Sequence, residues 1–245
     1  MKTIIDNFST DSGNYAKYRP TYPKEFIEEI SHHVNYKKSA LDIGTGNGQV
    51  AVVLSEIFAQ VNAIDISENQ LKNAIQLPNI EYQVSRAEET PFYNQYFDLI
   101  TVGQAFHWFD FDAFYEEAKR ILKPGGVLAL FGYGVLRGSA DFNAKMNVFY
   151  EEVIGSYWDK ERIYIDEKYQ NINFPFNEIN LSKDYFIKVN WTLAQLKGYL
   201  ESWSAVKKYE KQNNENPVED FIQLLSGIEK ISLEFPIFYR IGSLK

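Results

Sequence analysis

Residues 40–50 read Ala-Leu-Asp-Ile-Gly-Thr-Gly-Asn-Gly-Gln-Val, an apolar strand that ends in an acid and runs into alternating glycines. Val50-Ala51-Val52-Val53-Leu54 then begins a helix. Gly44, Gly46 and Gly48 allow a tight turn and let a ligand lie against bare backbone. A strand–turn–helix of this kind places the ligand at the carboxyl edge of a parallel sheet, where open α/β folds bind nucleotides. Loops for dinucleotides read Gly-x-Gly-x-x-Gly, whereas this one reads Gly-x-Gly-x-Gly with Asp42 two positions ahead. An acid there suits a ligand with a positive amino group and repels a pyrophosphate.

Outward from this stretch the chain alternates strand and helix, the pattern of a parallel sheet covered on both faces. Strands are expected at 60–64, 80–84, 97–102 and 127–132. Ser67 to Gln70 has the form of a capping box, Asp110 can cap a helix over 111–122, and Lys123-Pro124-Gly125-Gly126 is a turn. Past Gly138 the rhythm changes. A helix is expected over 140–155, followed by an irregular stretch rich in aromatics through Phe176, which is either a surface excursion or a cap over the crevice. Residues 185–191 alternate as a strand, and Thr192 to Gln195 is a second capping box opening a helix. A polar loop over 207–217, a helix over 218–230 and a last strand over 237–241 complete the reading.

Composition narrows the class. A 45% hydrophobic content over 245 residues suits one globular α/β domain with an elaboration. The net charge of −8 and pI near 5.1 argue against nucleic acid as partner, since such binders carry a basic face. With no cysteine there is no disulfide, thiolate metal site or cysteine nucleophile. The first residues lack a signal-peptide pattern, and no apolar run reaches the ~20 residues that cross a bilayer. A cytoplasmic protein with no membrane partner is expected.

Several residues carry the chemistry. Asp65 closes the second strand, where an acid can accept both hydroxyls of a ribose. The stretch Ser85-Arg86-Ala87-Glu88-Glu89-Thr90-Pro91-Phe92 follows the third strand. The fourth runs into Gly103-Gln104-Ala105-Phe106-His107-Trp108-Phe109-Asp110. His32 and His33 sit on a polar helix end, so His107 is the histidine at the crevice. It either takes a proton there or is satisfied by a backbone carbonyl. Upstream, Tyr15-Ala16-Lys17-Tyr18-Arg19-Pro20-Thr21-Tyr22-Pro23 is dense in aromatics, and Arg19 can clamp a carboxylate by a two-pronged ion pair.

The glycine loop resembles motif I of the class I S-adenosylmethionine (SAM) methyltransferases. With Tyr18-Arg19-Pro20, Phe106-His107-Trp108-Phe109, Lys123-Pro124-Gly125-Gly126 and Trp203-Ser204-Ala205, nearly the whole chain is similar to the trans-aconitate methyltransferase-like branch of the methyltransferase type 11 group. The family commonly has Asp-Ala-Glu-x-Leu-Pro-Phe after the third strand. Here Arg86 replaces that aspartate.

The resemblance implies a Rossmann-like α/β fold, a seven-stranded and mostly parallel sheet with its last strand antiparallel, plus an aromatic-rich cap. One domain, 1–245, would divide into an N-terminal cap segment (1–35), a SAM-binding core (36–138), a cap insertion (139–180) and a completion of the sheet (181–245). SAM, leaving as S-adenosylhomocysteine (SAH), would be held by Arg19, Asp42, Gly44, Gly46, Asp65, Ile66, Ala87, Glu88 and Gln104, with no metal. A small-molecule acceptor would meet Tyr15, Tyr18, Tyr22, His107, Trp108 and Trp203, with His107 the candidate catalytic residue. The protein would act as a monomer or homodimer. Two other readings stay open: a NAD(P)-dependent oxidoreductase on a related sheet, and a non-catalytic SAM-binding protein with a protein partner.

Overall fold

The computed structural model describes residues 19–244. Five parallel strands, β1 (Ser39–Ile43), β2 (Gln60–Asp65), β3 (Ile80–Val84), β4 (Phe97–Gly103) and β5 (Leu122–Tyr133), lie in the order β3-β2-β1-β4-β5. The order reverses between β1 and β4, which opens a crevice at their carboxyl ends. Beyond β5 lies β8 (Lys230–Ser243), antiparallel to it. The far edge of β8 pairs with β7 (Phe186–Thr192) and with the two-residue β6 (Asn177–Glu178). The expected mostly parallel sheet of seven substantial strands, with the last one antiparallel, is therefore present, and β6 is a small addition.

The sheet is buried on both faces because its strands alternate. Val127, Ala129 and Phe131 of β5 enter one apolar cluster, and Leu128 and Leu130 enter the other. The first cluster takes Phe26, Ile27 and Ile30 of α1 (Lys24–His32), together with Val50, Ala51 and Leu54 at α2 (Gln49–Ser55). The second takes Phe114, Ala118 and Ile121 of α4 (Phe111–Ile121). Between these helices, α3 (Glu68–Lys72) is capped by Ser67 Oγ, which accepts from Gln70 N. The turn at 123–126 is a bulge inside β5, where Gly125 takes φ +74° as a tight turn requires.

Past β5, α5 (Ala140–Asn147) continues into a π-helical turn over Val148–Val153. The short α6 (Arg162–Asp166) lies within the aromatic stretch. Thr192 and Gln195 form the reciprocal capping box that opens α7 (Leu193–Glu201).

Three expectations are corrected beyond that point. The polar run from 207 is not a loop but most of α8 (Ser204–Asn213). Ala205 and Val206 are fully buried and Tyr209 packs on the core, so a narrow apolar stripe suffices to hold a helix that is charged elsewhere. The next helix, α9 (Pro217–Gln223), stops well before 230. The last strand starts at 230, not 237, because Ile231, Leu233 and Phe235 are buried at every second residue, the period of a strand. Pro236 has no N–H, and it sits where β8 changes partner from β7 to β5.

Candidate functional site

The glycine loop is strapped to β2 by its backbone: Gly44 N and Thr45 N donate to the Ile64 carbonyl at 2.9 and 3.0 Å. Gly44 has φ +67°, and a Cβ there would stand 2.6 Å from Ala105 Cβ. The residue is therefore bound to be glycine both by its conformation and by the close approach of the loop after β4. Together these two loops wall a cleft of about 210 Å³ at the carboxyl ends of β1, β2 and β4.

Asp42 lies at the floor of the cleft, 1% exposed. Its Oδ2 accepts from Thr45 Oγ1 at 2.6 Å and its Oδ1 from Thr101 Oγ1 at 2.8 Å. Burial pushes its carboxyl up to about 6, partly opposed by the two threonine bonds and assisted by the charge of Asp65. Its hydrogen-bond partners are neutral, so the ionised form awaits a cation. Asp65 stands at the end of β2. Its Oδ2 accepts from Gly46 N and its Oδ1 from Ser67 N, each at 2.9 Å. The acid thus braces the glycine loop against the start of the next helix. Losing both acceptors in Asp65→Ala should lower stability by about 1–3 kcal/mol, read as a fall in Tm of the ligand-free protein. An unchanged Tm would show the brace to be idle.

Ile66 is 41% exposed and Ala87 nearly buried on the flank of the same cleft. Glu88 also lines it, donating nothing but accepting from Asp110 N at 3.1 Å and pairing with Arg86 at 3.3 Å. Arg86, which stands where the family commonly has aspartate, therefore neutralises its neighbour. Gln104 has φ +54° and clasps β5. Its Oε1 accepts from Tyr133 N at 2.9 Å and its Nε2 donates to the Tyr133 carbonyl at 3.5 Å. The carboxamide thus acts as an extra rung between two strand ends, while the residue lines the cleft.

Arg19 and Tyr22 reach the cleft from the segment before α1. Arg19 Nη1 donates to Tyr133 Oη at 3.2 Å and its guanidinium lies 5.8 Å from the Tyr199 ring centroid. Tyr22 packs edge-on against Phe131. Tyr15 and Tyr18, also expected at the site, fall outside the described residues.

A second cavity, of about 100 Å³, adjoins the first and shares Arg19, Gln104, Trp108 and Tyr133 with it. His107 and Trp203 line this smaller cavity and not the larger one. His107 is 7% exposed, and its Nδ1 lies 3.2 Å from the Tyr169 hydroxyl. Among the described residues this partner is a side chain from the segment after α6. Trp203 packs on Trp158, which also lines the cavity.

Arg162 is a lining residue that sequence reasoning missed. Its guanidinium lies 4.6 Å from the Trp158 ring centroid and 5.3 Å from that of Tyr150. Its Nε donates to Tyr150 Oη at 2.7 Å and to Asp166 at 3.3 Å, while its terminal nitrogens make no hydrogen bond among the described residues. The signal available was an arginine four residues beyond a tryptophan in an aromatic stretch. Among the described residues there is no cluster of three or more histidine, aspartate or glutamate side chains that could hold a metal, and no helix long and apolar enough to cross a membrane.

Comparison with known proteins agrees with this architecture. A family model described as a methyltransferase domain matches residues 41–130. A Dictyostelium discoideum protein provisionally named a methyltransferase is 33% identical over 245 residues, covering 95% of this chain and 93% of that one. A Saccharomyces cerevisiae protein, named a probable SAM-dependent methyltransferase, is 23% identical over 88% of this chain and 86% of its own. Among solved structures, a type II methyltransferase provisionally assigned in Anaeromyxobacter dehalogenans superposes with a TM-score of 0.85. It is 30% identical over 92% of this chain and 98% of that one.

Proposed function

The chain belongs to the class I SAM-dependent methyltransferases, and on that premise we propose that it methylates a small anionic acceptor seated in the second cavity. SAM supplies a methyl group on a sulfonium, already a good leaving group. Most of the protein's task is then to align two ligands, which can contribute roughly 7–11 kcal/mol. The larger cleft fits SAM on its own features. The ionised Asp42 has only neutral partners and would face the amino group. Gly44 and Gly46 would carry the methionine part, Asp65 the ribose, and Ile66 with Ala87 the adenine.

The observation that carries the acceptor reading is the charge of the smaller cavity. Arg19, Arg162 and Lys207 line it together with one carboxylate, Asp159, which pairs with Lys208. Arg162 pairs through its Nε with Asp166 and keeps its terminal nitrogens for a ligand. A cationic chamber walled by Trp158, Trp203 and Tyr199, in a chain of net charge −8, selects an anion with an apolar body. Arg162 would hold the anionic group through its terminal nitrogens, with the aromatic rings fixing its plane.

Two measurements test the reading. SAM or SAH at a hundredfold excess over its dissociation constant should add ~2.7 kcal/mol of stability, a rise in Tm of roughly 5–10 °C for a chain of this size. NAD should add none, and the reverse pattern would return the oxidoreductase reading. Transfer of labelled methyl to a panel of small acids, phenols and amines should favour the anions. For those accepted, Arg162→Ala should raise KM about 10-fold or more, as expected for a charged hydrogen bond. Equal turnover of neutral and anionic acceptors would refute the assignment.

A further inference from the structure

His107 is held by a residue that neither the motifs nor the cofactor cleft accounts for. Tyr169 is 1% exposed, and burial raises its phenol far above the ordinary value, so the hydroxyl keeps its hydrogen. That hydrogen needs an acceptor, since a buried donor left unsatisfied costs about 1–3 kcal/mol. Among the described residues His107 Nδ1, at 3.2 Å, is the side-chain atom the hydroxyl reaches. With no other acceptor for it among the described residues, the phenolic hydrogen points at the ring.

The placement of Tyr169 is enforced. Lys168 and Tyr169 both take left-handed backbone, φ +54° and +59°, an unfavourable conformation for residues with a Cβ. Arg240 of β8 holds this turn by donating Nη1 to the Tyr169 carbonyl at 3.0 Å and the Ile172 carbonyl at 3.1 Å, while pairing with Glu178. Phe106 and Phe238 pack edge-on against the phenol ring at 5.2 and 5.1 Å. Strain held by so many contacts marks a side chain whose position matters.

We propose that Tyr169 is a positioning residue that donates to His107 Nδ1 and so holds the neutral imidazole with its proton on Nε2. A ring in that state has one nitrogen already accepting and the other already protonated. Such a ring has no nitrogen left to act as a base. This extends the anionic-acceptor reading and rests on it for its consequence. The acceptor must arrive ionised at its attacking atom, whose lone pair forms the bond to the methyl carbon as the carbon–sulfur bond breaks and sulfur keeps the pair. No proton remains to be removed.

The test reads the ring directly and needs no acceptor. Nitrogen-15-labelled protein saturated with SAH is examined by long-range proton–nitrogen correlation at a pH where imidazole is neutral. His107→Gln identifies the resonance. We expect Nδ1 in the downfield region of an unprotonated nitrogen and Nε2 in the region of a protonated one. A ring protonated at Nδ1 overturns the proposal. In Tyr169→Phe, with SAH affinity unchanged, the two nitrogens should move toward averaged shifts as the tautomers mix, and an unchanged spectrum would remove Tyr169 from the role. If that variant does not fold, the wild-type tautomer still decides. Failure of the anionic-acceptor reading shows elsewhere, as an Arg162→Ala enzyme with unaltered KM, and leaves the tautomer result standing.

Discussion

Asp42→Asn should stabilise the ligand-free protein while weakening its hold on SAM. The carboxyl is pushed up to about 6 from an ordinary 3.8, with burial as the main cause. Between those values the folded chain binds more protons than the unfolded chain. Stability contributed by this group therefore falls as pH rises from about 4 to about 6, and the full cost, of order 3 kcal/mol, is present at neutral pH. An uncharged isostere escapes that cost, so Tm at pH 7 should rise. If the SAM amino group is seated against Asp42 as proposed, the same change should weaken binding by about 1.5–3 kcal/mol, roughly 10–100-fold. In the wild type, SAM affinity should decline below about pH 6, as the cofactor competes with a proton. Calorimetric titration from pH 5 to 8, with Tm for both proteins, checks all three. A variant that loses both stability and affinity would show the carboxylate to be a net structural asset.

Gly44→Ala should be the most damaging single methyl group in the cleft. The added Cβ falls 2.6 Å from Ala105 Cβ, an atom fixed to backbone that cannot swing aside. The left-handed conformation at φ +67° adds about 1–2 kcal/mol to an overpacking cost of about 1–3 kcal/mol. Relief requires the loops after β1 and β4 to part, which spoils the cleft they wall. The expected result is a Tm lowered by roughly 5–15 °C and no measurable binding of SAM or SAH. Gly125→Ala makes a useful control. It is also left-handed, at φ +74°, but nothing lies within 4 Å of its Cβ, so it should cost the strain alone and leave binding untouched. Binding that survives Gly44→Ala would show that the loops yield more readily than their contacts suggest.

How much was legible follows the range of the forces involved. The glycine loop, Asp65 at a strand end and the caps at Ser67, Asp110 and Thr192 are local, a few residues deciding their own backbone, and each was readable. The helix at 204–213 was hidden because two apolar residues and Tyr209 serve as its buried face. The early start of β8 was hidden because Lys230, Ser232 and Glu234 sit between the buried residues and read as polar chain. The smaller cavity was less legible still. Arg162 and Tyr199 come from distant segments, and no spacing in the chain announces that they line one cavity with His107 and Arg19. The bond of the Gln104 carboxamide to Tyr133 was hidden because it spans two strands.

The position of β8 has a consequence for how the molecule comes into being. It is the last strand in chain order, yet it covers β5, whose residues from Val127 to Tyr133 are buried. The nearest pair, Tyr133 with Ile237, is far apart along the chain, so pairing must wait until the segment between has been made. During synthesis β5 is therefore a bare, apolar edge that can template pairing with another chain. Closing so long a loop is slow compared with local helix formation. The nascent protein should depend on chaperones until β8 docks, and crowded expression should yield aggregates that cooler, slower synthesis relieves.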